Sequence, residues 1–382
     1  MVPRILTLAA ALLAVLLAPP AQAQDAENEH PDAAALRLTV GGWGLTVGNA
    51  PYAQGVRINW SDRDARRVDG VNLTLWAPRG NPELVVNGVA VGLAGPEAAS
   101  IRGVGVGGLG VVAGDGIRGV GVGGLATISG GESRGVQVGG LAVIAGDGMR
   151  GVNLGGLAAI SGGETRGVNL GGLAAVAGER AHGVSIGGLA AVAGEGITGF
   201  QGAGLAAVSG EGLVGTQIGG ITSIVGEGAR GVNISPGAAI TGENATGVHM
   251  GGLASIVGGR SRGVNISGLA TIAGEGMEGL NVAGLAVVSG GRTRWLTAAG
   301  LGVVAEEVQG VSLAGARVRT DGLTGLSVAA NNEVRGVQVG LAVGVYNYAR
   351  VLRGVQLGIL NYAANNPPPF RLLPVVNANL AR

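Results

Sequence analysis

Cysteine is absent from the 382 residues, and this absence excludes disulfides, thiolate metal sites and thiol nucleophiles together. Aromatic residues make up 3% and charged residues 13% of the chain, the latter about half of the usual share. The 25 basic and 24 acidic residues nearly cancel, so the chain lacks the basic field that holds nucleic acid. We therefore expect no nucleic-acid partner, and stability has to come from packing and backbone hydrogen bonds alone.

Glycine, by contrast, is abundant, with 79 residues, and 47% of the chain is hydrophobic. This composition is too apolar for a disordered polar chain. Collagen is excluded because glycine does not recur strictly at every third position and the chain has only 13 prolines. The composition therefore indicates a folded, glycine-rich array.

The N-terminus has the pattern of a secretory signal. Arg4 precedes the 14-residue apolar run Ile5–Ala18, which is followed by two prolines and a small-residue exit that ends at Ala23. A membrane anchor is the alternative, but the run is shorter than the about 20 residues that a helix needs to cross a bilayer. We predict a signal peptide over residues 1–23, cleaved after Ala23, and a flexible polar leader over residues 24–35.

A 16-residue unit recurs over residues 102–305. Counted from Gly151 as place 1, places 2, 7 and 10 are mostly valine, leucine and valine or isoleucine. Places 1–11 carry no Asp, Glu, Lys or Arg in the 13 units that begin between Gly103 and Trp295, and the ionic residues occupy the remaining places. Each unit is therefore an uncharged segment followed by a glycine-rich polar turn.

The uncharged segments are predicted to be β-strands, one in each unit. Their fixed large places are β-branched or leucine, and the glycines inside them would destabilise a helix by up to about 1 kcal/mol each. On a pleated strand, places 2, 4, 8 and 10 share a uniformly apolar face, whereas the other face is small and mixed.

Neighbouring strands could run antiparallel or parallel. The turn sequence Gly-Gly-Glu/Arg-Ser/Thr begins at Gly130, Gly162, Gly258 and Gly290, so its separations are multiples of 32 residues. A period of two units favours an antiparallel zigzag, in which Ile160 would pair with Val168. Parallel stacking instead predicts a polar ladder along place 3, formed by Gln137, Asn153, Asn169, Ser185, Gln201, Gln217, Asn233, His249, Asn265 and Asn281.

The predicted fold class is therefore all-β, built from tandem 16-residue one-strand repeats. An antiparallel meander closing as a β-barrel is favoured, and a parallel β-solenoid or an open meander are the alternatives. Irregular strands are predicted over residues 36–101, the regular array over residues 102–305, and divergent repeats with a cap over residues 306–382.

Near the C-terminus the unit changes to Arg335-Gly-Val-Gln-Val-Gly-Leu and then Arg353-Gly-Val-Gln-Leu-Gly-Ile-Leu-Asn-Tyr-Ala. This resembles the bacterial surface-repeat proteins built on Gly-Val-Gln-(Leu/Ile)-Gly-Leu-(Val/Leu)-Asn units, first named in spirochaetes. The resemblance implies export to the outer membrane or cell surface of a double-membraned bacterium, with no assigned reaction.

We accordingly expect a non-enzymatic envelope protein with a structural or surface-interaction role, whose partners are outer-membrane lipid or other envelope components. The alternative is an outer-membrane β-barrel channel or transport protein. Strands of 9–11 residues suit a barrel, but from Arg102 to Arg294 the only aromatic residue is Phe200, whereas membrane barrels carry aromatic girdles.

We predict no catalytic, cofactor-binding or metal-binding residues. His30, His182 and His249 have no spacing that indicates a catalytic set, and are interpreted as variants of the leader or the repeat. A hydrolase or lyase would need acids in the irregular ends, for which the candidates are Asp62, Asp64, Asp69, Glu306 and Glu307. The turn acids are interpreted as solvated charges rather than calcium ligands; they include Asp115, Glu132, Asp147, Glu164 and Glu179. The clustered aromatics are predicted to cap the ends of the array as core residues: Trp43, Tyr52, Trp60, Trp76, Tyr346, Tyr348, Tyr362 and Phe370.

Overall fold

A computed structural model describes residues 35–380, which form a parallel β-solenoid of about 18 coils. The predicted all-β repeat fold is confirmed. The favoured antiparallel β-barrel is wrong, and the alternative, the parallel β-solenoid, is the observed fold. The predicted signal peptide and nearly all of the predicted leader lie outside the described residues.

The strands follow one another along the solenoid axis. Those before the regular coils are Leu36–Val40, Trp43–Val47, Tyr52–Asn59, Arg67–Thr74, Val85–Gly92, Glu97–Gly107 and Gly110–Gly123. The regular coils contain Ala126–Ser129, Glu132–Gly139, Ala142–Ala145, Gly148–Gly155, Ala158–Ser161, Glu164–Gly171, Ala174–Ala177, Ala181–Gly187, Ala190–Ala193, Ile197–Ala203, Ala206–Ser209, Leu213–Gly219, Thr222–Val225, Ala229–Ser235, Ala238–Thr241, Ala245–Gly251, Ala254–Val257, Arg260–Ser267, Ala270–Ala273, Gly276–Ala283, Ala286–Ser289 and Arg292–Ala299. The last strands are Gly302–Ala314, Arg317–Val328, Asn331–Ala363 and Leu372–Asn379.

Each regular coil contains a long and a short strand, so the prediction of one strand per repeat is wrong. In one coil the long strand is Glu164–Gly171 and the short strand is Ala174–Ala177. The chain turns between them at Gly172 and Leu173. Only glycine fits at residue 172, because its backbone lies too close to the preceding coil for any side chain. The eleven uncharged residues therefore form two sides of the coil, joined by a corner.

Residues at the same place of successive coils pair with each other, without a register shift. Val168 pairs with Val152 and Val184 in parallel ladders, and Ile160 pairs with Ile144 in the same way. The predicted antiparallel pairing of Ile160 with Val168 is therefore wrong. Every backbone ladder in the regular coils runs along the axis, so identical places stack on one another.

The interior is filled by places 3, 5, 9, 11 and 15. In one coil these are Asn169, Gly171, Ala175, Ala177 and the preceding Thr165, all of them buried. The polar ladder along place 3, which the solenoid alternative predicted, is confirmed as a buried column. Amides and small residues thus form most of the core of the regular coils, and large aliphatic side chains enter it at place 15, as Met149, Leu213 and Met277 do.

Both described ends of the solenoid carry an antiparallel strand. Leu36–Val40 pairs antiparallel with Trp43–Val47, and Leu372–Asn379 pairs antiparallel with Asn331–Ala363. The prediction that the clustered aromatics are core residues of the caps is wrong for Trp43, Tyr52, Trp60, Trp76 and Phe370, which are more than half exposed. Tyr348 and Tyr362 stack on each other with ring centroids 5.4 Å apart.

Candidate interaction surface

The uniformly apolar face of the repeat lies on the outside of the solenoid. Val152 and Leu154 on the long strand, and Ala158 and Ile160 on the short strand, are half-buried and point outward, because the residues that alternate with them fill the interior. We call places 2, 4, 7, 8 and 10 of the 13 units from Gly103 to Trp295 the apolar surface. It includes no ionisable side chain.

A column of leucines runs along the corner between the two apolar sides. Leu141, Leu157 and Leu173 are 42–45% exposed, and the backbone N–H of each donates to the carbonyl oxygen one coil earlier, as from Leu157 to Leu141 at 2.7 Å. The sequence-based barrel placed these side chains in a lumen, whereas the structure places them in the solvent. We call this column the leucine ridge; its members are Leu109, Leu125, Leu141, Leu157, Leu173, Leu189, Leu205, Ile221, Leu253, Leu269, Leu285 and Leu301, with an interruption at Gly237.

The apolar surface is large for a single chain. Its 13 coils at about 4.8 Å spacing, each with about eight residue steps of 3.3 Å, outline roughly 1,500 Å². The largest apolar patch of a typical monomer is about 300–600 Å², and larger patches mark interaction sites. Near the C-terminal end an apolar groove of about 670 Å³ adds to it, lined by residues that include Ala330, Val345, Leu357, Ile359 and Val375.

The charged side chains of the regular coils stand at places 13–16, in the turn before the long strand and in the first half of that strand, which we call the charged segment. Stacked arginines there share glutamates: Glu132 lies 2.5 Å from Arg134 and 2.6 Å from Arg150. Glu164 likewise contacts Arg166 and His182, each at 2.9 Å. Each of these two carboxylates contacts cations of two coils, and Glu132 and Glu164 stand two coils apart, with Gly148 between them at the same place. The 32-residue period of the turns therefore occurs in a parallel stack and does not require antiparallel strands.

Glu132→Gln is expected to lower the free energy of unfolding by about 0.5–1 kcal/mol, with a smaller loss at high salt. The hydrogen bond from Arg134 to Glu132 holds the pKa of that carboxyl below its usual range, so its charge is favoured in the folded chain. Urea unfolding at low and high salt measures the change. Glu211→Gln is the control, since Glu211 lies 3.9 Å from Arg180 and is half exposed. Equal losses in both variants would contradict the charge-sharing account.

Trp295 is an exposed tryptophan at a strained backbone position. It occupies place 1, where the other regular units have glycine, and its φ is 78°. L-residues rarely adopt this region, and such strain is often kept at functional sites. Its side chain is 76% exposed and stands between Arg294 of the charged segment and Leu296 of the apolar surface. An aromatic side chain is therefore held at the border of the two surfaces.

Trp295→Gly is expected to raise the free energy of unfolding by about 1 kcal/mol, because glycine adopts a positive φ without strain. Urea unfolding followed by circular dichroism measures this change. Trp76→Gly is the control, since Trp76 is exposed but lies outside the positive-φ positions. A Trp295→Gly variant less stable than the parent chain would show that the indole packing outweighs the strain.

The interior ladder contains polar atoms without partners. Asn265 donates from Nδ2 to Asn281 Oδ1 at 2.7 Å, but Oδ1 of Asn153 and both ring nitrogens of His249 have no hydrogen-bond partner in the described chain. Burial lowers the pKa of His249 to about 4. Unsatisfied buried polar groups destabilise a fold by about 1–3 kcal/mol each. The buried column at place 3 is therefore more polar than places 2 and 4 on either side of it, which face outward.

One ion pair is buried near the N-terminal end. Arg57 is fully buried, and its Nη1 donates to Asp62 Oδ1 at 2.5 Å and to Asn72 Oδ1 at 3.0 Å. Asn72 Nδ2 in turn donates to Asp62 Oδ2 at 2.6 Å. Each carboxylate oxygen of Asp62 thus accepts a hydrogen bond, which indicates a structural role for this acid.

The other acids considered for catalysis do not form a cluster with it. Asp69 accepts from Arg67 at 2.9 Å and Glu307 accepts from Arg292 at 2.6 Å, both on the surface. His182 contacts Glu164, His249 is buried, and His30 lies outside the described residues. Among residues 35–380, no group of three or more His, Cys, Asp or Glu side chains has the arrangement to hold a metal ion. Sequence reasoning named the apolar columns but assigned them to a lipid-facing barrel wall, and it did not distinguish Trp295.

Comparisons with family models, with curated proteins and with solved structures gave no match. Within the described part of the chain, no helix is long and apolar enough to cross a membrane. The features that bear on function are therefore the apolar surface, the charged segment that borders it and the exposed tryptophans.

Proposed function

We propose that this chain is an exported, non-enzymatic rod of the bacterial cell envelope with a structural or surface-interaction role. The observation that carries the proposal is the apolar surface, whose leucines are about half exposed along a corner of the solenoid. A soluble protein without a partner for such a surface would aggregate, so the surface requires an occupant.

The filled interior of the solenoid supports a role other than catalysis. Side chains fill each coil down to small residues such as Ala159 and Ala175, which are fully buried and leave no room for a substrate. A cleft of about 560 Å³ does lie on the charged segment, where it is lined by residues that include Glu227, Arg230, Glu243 and Arg260. Its arginines and glutamates have no buried nucleophile or base beside them, so it lacks the parts of an acid–base site.

Export and envelope location are supported by the signal pattern that ends at Ala23 and by the Gly-Val-Gln-Val-Gly and Gly-Val-Gln-Leu-Gly units after Arg335 and Arg353. We propose on these residues that the chain is related to the bacterial surface-repeat proteins. An outer-membrane channel or transport protein, the alternative drawn from the sequence, stays a prediction that no comparison tests.

Cell fractionation tests this proposal. A C-terminally tagged chain, produced in a double-membraned bacterium, is expected in the envelope fraction with Gln24 as its first residue. Leu13→Arg, which interrupts the apolar run, is expected to keep the chain in the cytoplasm with residues 1–23 still attached. Recovery of the unaltered tagged chain in the cytoplasm, uncleaved, would contradict the proposal.

A further inference from the structure

We infer that the leucine ridge inserts into the hydrocarbon–headgroup boundary of a lipid bilayer, with the solenoid axis lying in the plane of the membrane. This inference rests on the proposed envelope location and deepens it by naming the partner and the orientation. It depends on four features of the described residues: the length of the apolar surface, its two-sided shape, its paired backbone and the placement of its tryptophans.

The length of the apolar surface sets the orientation. Thirteen coils at about 4.8 Å spacing extend the surface for about 60 Å along the axis, whereas the hydrocarbon core of a bilayer is about 30 Å thick. A rod standing along the membrane normal would leave half of its apolar surface in water. A rod lying flat places every leucine of the ridge at the same depth.

The shape of the surface favours lipid over a second copy of the chain. The apolar residues occupy two sides that meet at the exposed corner formed by Leu157, Leu173 and their equivalents, so the surface is convex. A stable dimer needs only about 800 Å² from each partner. A second rod docked on one side would leave the other side and the ridge in water, whereas a fluid lipid phase covers both.

The backbone N–H groups beneath the leucine ridge are hydrogen-bonded, as an apolar environment requires. The N–H groups of Leu157 and Ala158 donate to the single carbonyl oxygen of Leu141 at 2.7 and 3.0 Å, and the same pattern recurs in the next coils. Unpaired backbone groups cost several kcal/mol in hydrocarbon. Here these groups are paired along the axis, so the ridge can enter lipid without breaking hydrogen bonds.

Exposed tryptophans occur at the margins of the apolar surface. Trp60 follows the strand Tyr52–Asn59 directly, and Trp76 follows Arg67–Thr74 after one residue. Both lie at the corner that the leucine ridge continues, and their rings stack with centroids 6.5 Å apart. Trp295 stands at the border with the charged segment. Tryptophan is enriched at the level of lipid headgroups because its ring is apolar and its N–H is polar. A need for an interfacial aromatic explains why Trp295 keeps a strained φ.

The absence of native cysteine allows a test on the full chain with one thiol. Leu173→Cys places the thiol on the ridge, and Arg166→Cys places it on the charged segment of the same coil. Each variant is labelled with an environment-sensitive NBD dye and mixed with phosphatidylcholine vesicles, with or without brominated acyl chains. The neutral lipid removes any need for charge attraction.

The ridge dye is expected to shift its emission to the blue and to lose at least about two-fold in intensity with brominated lipid, independently of salt. The dye at residue 166 is expected to stay in water. Two dyes that both remain in water, or two that are both quenched, would overturn the inference. A blue shift of the ridge dye without vesicles, rising with protein concentration, would assign the surface to a second copy. Each of these results leaves the proposed export testable on its own by fractionation.

A set of substitutions provides an independent measurement. Replacing Leu141, Leu157, Leu173 and Leu189 by glutamine is expected to lower the partition coefficient onto phosphatidylcholine vesicles at least about 10-fold. The matched control replaces four arginines of the charged segment by glutamine: Arg118, Arg134, Arg150 and Arg166. Circular dichroism establishes that both variants are folded. Equal partitioning of the ridge variant and the control would overturn the inference.

Discussion

Gly167→Ala is expected to lower the free energy of unfolding by about 3 kcal/mol, although it adds a single methyl group. Gly167 has a φ of 112°, a conformation that strains any L-residue by about 1–3 kcal/mol. An added Cβ would also lie 2.2 Å from the carbonyl oxygen of Gly151 in the preceding coil, which is far inside van der Waals contact. Urea unfolding followed by circular dichroism measures the loss.

Gly228→Ala is the matched control for this substitution. Gly228 lies in the same array, but its φ is not in the positive region, and an added Cβ would meet its nearest atom, Asn244 O, at 3.5 Å. The control is expected to change stability by less than about 1 kcal/mol, and the lower entropy of the unfolded alanine chain favours a small gain. A Gly167→Ala variant as stable as the control would mean that the coils can move apart without penalty.

Lowering the pH from 7 to 4 is expected to destabilise the solenoid by about 3 kcal/mol through His249 alone. Burial lowers the pKa of this imidazole from 6.5 to about 4 in the folded chain. Between these two values the unfolded chain binds the proton and the folded chain does not, so stability falls as the pH falls. The loss begins near pH 6.5 and is complete below about pH 4.

His249→Asn separates this effect from other acid effects, because asparagine is the residue that precedes and follows His249 in the ladder, at Asn233 and Asn265. The variant is expected to keep its stability from pH 6.5 to 5. The surface carboxyls of Glu132, Glu164 and Glu307 have pKa values lowered mainly by hydrogen bonds from Arg134, Arg166 and Gln309, so their contribution is lost at lower pH. The same pH profile for both chains between 6.5 and 5 would exclude His249 as the cause.

The sequence predicts the repeat length and the β class because both follow from single places that recur. Valine at place 2, as at Val152, and isoleucine at place 10, as at Ile160, mark extended segments, and the charged residues mark their ends. The direction of the neighbouring strand, parallel or antiparallel, does not follow from these recurring places. The pairings of Ile160 with Val168 and of Ile160 with Ile144 are both compatible with close packing of small and large residues, so packing alone does not select one.

The interaction surface could be predicted only in part for a related reason. The alternation of Val152, Asn153 and Leu154 defines two faces, but the hydrophobic effect favours placing the valine and leucine inside. In the solenoid, places 3 and 5 face the interior and hold mostly amides and glycine, while larger aliphatic residues are buried at place 15, as at Met149 and Leu213. The recurrence of a glycine at place 5, as at Gly155, was the available signal, since its added Cβ would lie 1.8 Å from Ala158 O.

The sharing of Glu132 between Arg134 and Arg150 restricts how such a chain can change its length by recombination. Loss of the single coil that contains Gly148 would set Glu132 directly beside Glu164, with two like charges one ladder step apart. Loss of two adjacent coils, the one that contains Gly148 and the one that contains Glu164, would restore the alternation of acids and cations without any other substitution. In this part of the array, lineages of this protein should therefore gain and lose material in steps of 32 residues, whereas the coils from Glu195 to Glu243, which already stack acid on acid, can change by 16.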